Sequence, residues 1–114
     1  MTKTFIQTRM FAKKWDELGL SDEELCRLEY EIMTDPQGGP IVPGTGRLRK
    51  RRFAIKGKGK RGSARVCYVD FVVLDTIYLF SIYMKNKKED LSKEECNNIK
   101  KAIDILEKSL MKGV

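Results

Sequence analysis

Apolar positions along the chain recur with two spacings, and each predicts a different kind of element. Residues 3–7, KTFIQ, read as a short opening strand. In RMFAKKWDEL (9–18), Phe11, Trp15 and Leu18 fall at i, i+4 and i+7, one face of a helix that Gly19 stops. Ser21 and Glu24 form a capping box. The helix they open runs to about Thr34 with Leu25, Leu28 and Ile32 inward, and Asp35-Pro36 ends it. A second capping box, Ser92 with Glu95, opens a closing helix to about Met111. Its apolar stripe is Ile99, Ile103, Leu106 and Leu110, opposite Lys100, Lys101, Asp104 and Lys108.

Between the helices, DPQGGPIVPGTG holds all three prolines and four glycines and reads as a connecting loop. Three strands are predicted after it, over 47–56, 64–74 and 76–85. Only Asp75 separates the last two, which predicts a tight antiparallel hairpin. Apolar residues of both parities in these two strands predict central positions covered on both faces. The order β-α-α-β-β-β-α describes an α+β domain: an antiparallel sheet with the N-terminal helices and the C-terminal helix packed on one face. At 114 residues the chain is expected to form one domain, 1–114.

Charge changes this picture. The net charge is +7, and no acidic residue occurs from Pro36 to Val69. That window holds ten basic residues: Arg47, Arg49, Lys50, Arg51, Arg52, Lys56, Lys58, Lys60, Arg61 and Arg65. All of the positive excess therefore sits in one central segment. A merely solvated face mixes signs, so this segment points to a polyanionic partner.

Other chemistry is sparse. The chain has no histidine, which excludes Ser-His and His-His catalytic pairs. The cysteines, Cys26, Cys67 and Cys96, are odd in number and widely spaced, which argues against disulfides and most zinc sites; buried thiols are expected. No cofactor or metal is expected. No run approaches a membrane span, and the start MTKTFIQTRMF has no secretory pattern, so a cytoplasmic protein is expected.

One motif needs arbitration. GKGKRG (57–62) fits G-x-G-x-x-G, the dinucleotide-binding fingerprint. That fingerprint requires a helix after the glycines, because the pyrophosphate sits on a helix N-terminus. Here SARVCYVDFVV follows, which reads as a strand. The segment is a glycine-rich hairpin loop whose backbone lets a phosphate approach and whose Lys58, Lys60 and Arg61 supply charge.

The series SDEEL, DPQGGPIVPGTGRLRK, GKGKRGSARVCY and YLFSIYMKNKKEDLS resembles the RelE/HigB branch of bacterial toxin–antitoxin toxins, within the RelE/ParE superfamily. The resemblance spans about residues 5–110. It implies an endoribonuclease that cuts mRNA on the translating ribosome and is held inactive by a cognate antitoxin, itself a helix-turn-helix protein. Such an antitoxin is expected to be acidic, covering the cationic cleft or displacing the closing helix. The implied fold is a curved antiparallel sheet with helices on one face.

RNA cleavage without histidine has a physical logic. The 2′-oxygen attacks the adjacent phosphorus, so the site must take a proton, stabilise the phosphorane and protonate the leaving 5′-oxygen. A lysine packed among arginines gives up its proton more readily, and arginines stabilise the phosphorane. Strand alternation places Lys50, Arg52 and Lys56 on an open face, with Phe53 and Ile55 toward the helices. Carried over from the family, the basic pair falls on Lys50 and Arg52. The arginine after the loop falls on Arg65, followed by Tyr68, and the basic residue ending the last strand falls on Lys85, preceded by Tyr83. Lys50 is assigned as base, Arg65 as phosphate clamp, and Arg52 or Lys85 as leaving-group acid or further charge. Lys56, Lys58, Lys60, Arg61, Arg49 and Tyr83 are assigned to the RNA. The chain departs from the family in having Arg51 where an aliphatic residue is usual, and no tyrosine or histidine after Tyr83. Two competitors use the same fold and charge: a nucleic-acid-binding module without catalysis, and a ParE-like gyrase poison.

Overall fold

The computed structural model describes residues 3–56, 62–87 and 90–112. Strand β1 (Thr4–Gln7) leads into helix α1 (Arg9–Glu17) and helix α2 (Asp22–Thr34). Strands β2 (Arg49–Ile55), β3 (Gly62–Phe71) and β4 (Thr76–Met84) follow, and helix α3 (Lys93–Lys112) closes the chain. The α+β class and the element order are those predicted.

The caps account for the helix starts. Thr8 accepts a hydrogen bond from Phe11 N at 3.1 Å, and Ser21 accepts one from Glu24 N at 3.2 Å. Asp22, Glu23 and Glu24 fill the first turn of α2, where the helix dipole favours negative charge. At α3 the box is reciprocal: Ser92 N donates to Glu95 Oε1 at 2.8 Å and Glu95 N to Ser92 Oγ at 3.1 Å. Gly19 stops α1 with φ of 69°, a left-handed conformation suited to glycine.

The sheet order is β1-β4-β3-β2. β2–β3 and β3–β4 are antiparallel as expected, but β1 runs parallel to β4, so the sheet is mixed. Parallel neighbours need a long crossover, and everything from α1 to β3 supplies it. The predicted strand over 64–74 ends earlier, at Phe71. Val72–Leu74 form a 3-10 turn, and Asp75 adopts φ of 48° before β4 begins.

The helices do not share one face. Phe11 and Trp15 of α1 and Leu28 and Ile32 of α2 pack on Phe53, Ala64, Val66, Tyr68 and Leu79. Ile99 and Ile103 of α3 pack on Leu48, Cys67, Val69, Phe71 and Phe80, which alternate with the first set along the strands. This overturns the one-face expectation for α3. The apolar residues of both parities in β3 and β4 are its physical cause, since each face of those strands needs a cover. Cys67 and Cys96 are buried as expected, whereas Cys26 on α2 is exposed.

Candidate RNA-binding and cleavage site

A β-bulge builds the site. Cys67 pairs with Ser81 and Tyr68 pairs with Leu79, leaving Phe80 as an extra residue on β4. Simple alternation from Phe80, which faces α3, would send Tyr83 to the α1–α2 face. The bulge reverses the phase, so Ile82 packs under α1 and α2 and Tyr83 turns to the α3 face.

Side chains from three strands consequently form rows on that face. Arg52 pairs with Arg65, and Arg65 pairs with Tyr83. One step along, Lys50 pairs with Cys67 and Cys67 with Ser81. Lys85 N donates to Ser63 O at 3.1 Å, which puts Lys85 at the end of the next row. Neighbouring strands are about 4.8 Å apart, so Arg52 and Arg65 set two like charges opposite each other on adjacent strands. Like charges directly opposite each other destabilise a sheet unless an anion joins them. Arg52 Nε donates to Ser63 Oγ at 2.7 Å, which fixes its direction, and Arg65 Nη1 donates to Ala64 O at 3.3 Å.

Lys50 Nζ donates to Asp90 Oδ1 at 2.7 Å. The Lys50 ammonium holds the Asp90 carboxyl below its ordinary range, with lesser help from Lys85 and Arg65. The positive field of the face thus converges where this carboxylate sits. Sequence reasoning surrounded Lys50 with arginines alone and missed Asp90. An acidic residue just after the lysines of KNKKED was the available signal. Burial pushes the Tyr83 hydroxyl up to about 12 and the Cys67 thiol up to about 11, so both stay protonated at neutral pH.

The structure therefore brings Lys50, Arg52, Arg65, Tyr83 and Lys85 to one face. Lys56 follows β2 as an exposed residue. Lys58, Lys60 and Arg61 lie outside the described residues. Arg49 points to the other side of the sheet, where it donates to the carbonyls of Gln37 at 3.1 Å and Gly39 at 2.8 Å. Arg51 donates to Asp35 O at 3.3 Å on that side. Both arginines hold the loop after α2 instead of joining the cationic rows. Gly39 lies so close to β2 that a Cβ would fall 2.6 Å from Lys50 O, which is why the GGP stretch is needed there. Tyr68, fully buried, donates to Pro36 O at 2.9 Å and secures the same loop.

Among the described residues no cluster of three or more His, Cys, Asp or Glu could hold a metal ion, and no helix is long and apolar enough to cross a membrane. The family model described as "RelE toxin of RelE / RelB toxin-antitoxin system" matches residues 2–112.

Proposed function

Because the chain belongs to the RelE toxin family of the RelE/RelB toxin–antitoxin system, we propose that it is an endoribonuclease that cuts mRNA on the translating ribosome. The observation that carries this reading is the row Arg52–Arg65–Tyr83 beside Lys50, which brings three cationic residues of adjacent strands to one face.

The phosphate seats between Arg52 and Arg65, whose planar forks each bridge two oxygens. Lys50, once Asp90 has turned away and the ammonium has passed a proton to water, takes the proton of the 2′-hydroxyl. The O2′–P bond forms, the P–O5′ bond breaks, and the leaving oxygen takes a proton from Lys85 or from water. The products are a 2′,3′-cyclic phosphate and a 5′-hydroxyl. Guanidinium groups fixed by Ser63 and by the sheet stabilise the phosphorane without reorganising during the step.

The cognate partner is an antitoxin of the RelB kind, here acidic and covering this cationic face. The toxin acts in the bacterial cytoplasm, where ribosomes are. The reading is tested by adding the purified protein to ribosomes programmed with a defined mRNA and mapping the ends produced. Cuts bearing 2′,3′-cyclic phosphates are expected. Intact mRNA in the presence of folded, RNA-bound protein would leave only a binding module, and inhibition of gyrase supercoiling instead would assign it to the gyrase poisons.

A further inference from the structure

Beside Lys50 lies a cleft of about 360 Å³ that the sheet core does not use. This is near the lower end of the about 300–1,000 Å³ typical of small-molecule sites. Pro40, Ile41, Val42, Pro43, Tyr83 and Leu91 line it. Two polar side chains, Lys50 and Asp90, share the lining.

The proline wall is preformed. Pro40 O accepts from Lys50 N at 3.0 Å, and Val42 N donates to Leu48 O at 2.7 Å. Ile41 bridges Arg49, and Thr45 Oγ1 donates to Val42 O at 2.6 Å. Two prolines remove further freedom. A folding requirement would bury such a wall, yet Ile41 stays 47% exposed. A cleft lined by apolar and aromatic groups together with a charged pair has the character of a site for a planar heterocycle.

Its place relative to the cationic rows identifies the heterocycle's carrier. Lys50 and Arg52 are two residues apart on one strand, about 7 Å, and Tyr83 belongs both to the phosphate row and to the cleft wall. A nucleotide whose phosphate sits on Arg52 and Arg65 can therefore place its base between Pro40–Pro43 and Tyr83.

We infer that this cleft receives a base of the bound RNA and that Asp90 selects guanine. Guanine alone among the four bases offers two adjacent donors, N1–H and N2–H, on its Watson–Crick edge, and a carboxylate accepts both through its two oxygens. Turning Asp90 from Lys50 to that edge also removes the carboxylate that holds Lys50 as an ammonium, so that Lys50 can pass a proton to water and then accept one from the 2′-hydroxyl. The inference rests on the ribonuclease reading above and adds the substrate base.

The test uses 2′-deoxy trinucleotides, which cannot be cut, differing only in the central base, with binding followed by fluorescence anisotropy at low salt. Central guanine is expected to bind about tenfold more tightly than the other three, within what one bidentate edge contact discriminates. Asp90→Asn should erase that preference, because an amide offers one acceptor oxygen and an unwanted donor, so the guanine probe falls to the affinity of the other three. Val42→Trp, which fills the cleft, should erase it as well. Equal binding of all four probes, or a guanine preference that survives Asp90→Asn, overturns the inference. So does GMP binding as tightly as the trinucleotide, which would mark a free-nucleotide site. Ribosomal cleavage with no base preference in the probes would leave the nuclease and remove the guanine cleft. A guanine preference that Asp90→Asn abolishes, in a protein that cuts no RNA, would do the reverse.

Discussion

Lys50 and Asp90, 40 residues apart in sequence, meet at 2.7 Å across the mouth of the cationic face. The carboxylate is 71% exposed, so it can turn away from Lys50 without unpacking the core. An exposed pair of this kind stabilises the fold little. Its consequence is for access to Lys50.

The pair has a pH signature. An ordinary aspartate titrates near ~3.9, and Asp90 titrates below its ordinary value because Lys50 favours its ionised form. The contact is therefore complete above the ordinary value and disappears as pH falls through the lower folded value. Carbon-detected NMR should show the Asp90 carboxyl titrating below the other exposed aspartates. In Lys50→Met its midpoint should rise, though not fully, since Lys85 and Arg65 still act on it. An Asp90 midpoint unchanged by Lys50→Met would mean that the pair does not form in solution.

The thiols should report which face α3 covers. Cys26 is exposed, whereas Cys67 lies under α3 with its thiol pushed up to about 11 and Cys96 is buried on the helix itself. A neutral thiol-reactive probe at pH 7.5 should label one cysteine in the folded protein and three after unfolding, counted by intact mass. Rapid labelling of Cys67 in the folded chain would show that α3 leaves this face.

Arg49 should behave as a structural residue. Its guanidinium ties down the carbonyls of Gln37 and Gly39 on the side away from Arg52 and Arg65. Hydrogen bonds from a charged donor are worth about 1.5–3 kcal/mol, so Arg49→Ala should lower the unfolding free energy by about that amount in urea titrations. Cleavage by the fraction still folded should remain near that of the unaltered protein. A large loss of cleavage at unchanged stability would return Arg49 to the RNA-contacting set.

Much of this arrangement is legible in the sequence because it depends on local rules. Capping boxes at Ser21 and Ser92 and the 3.6-residue spacing of Phe11, Trp15, Leu28 and Ile32 fix the helices. Period-two alternation fixes which side of β2 carries Phe53 and Ile55. Arg49, assigned to RNA on charge density, has the parity of Phe53 and Ile55, and its guanidinium meets loop carbonyls on that side. On a strand, neighbouring arginines point to opposite faces, and one of those faces was a loop full of carbonyls. The placement of α3 follows from the apolar residues of both parities in β3 and β4, whereas the Lys50–Asp90 contact depends on a chain return and the turn of Tyr83 on a bulge at Phe80, which no local pattern encodes. The parallel pairing of β1 is of the same kind, since it depends on where the chain comes back.

RNA affinity should fall steeply with salt. If Lys50, Arg52, Arg65 and Lys85 each neutralise one phosphate of a single strand, about −0.7 per contact gives a slope of log K against log salt near about −3. Lys58, Lys60 and Arg61 would steepen it. Arg52→Ala should flatten the slope by about one contact while lowering affinity for all sequences alike. A slope near zero would point to a protein partner on this face.

The sharpest prediction concerns Arg65. It pairs with Arg52 on one side and Tyr83 on the other, so it is the central member of the row. Among the described residues its side chain donates only to a backbone carbonyl, Ala64 O at 3.3 Å, so its removal breaks no buried network there. Losing one preorganised stabiliser of a developing charge costs about 10²–10³ in rate, and Arg65→Ala should lose cleavage to that extent while remaining folded by circular dichroism. Arg65→Lys should recover only part of it, because an ammonium is a point charge and cannot bridge two phosphate oxygens. Lys50→Ala should lose at least as much, since it removes the proton acceptor. Lys108→Ala, on the exposed side of α3, should change little. Each variant is assayed on programmed ribosomes at saturating protein, so that weakened binding is separated from slowed chemistry. Near-normal cutting by folded Arg65→Ala would remove the central guanidinium from the reaction and return the three-strand row to the status of a binding surface.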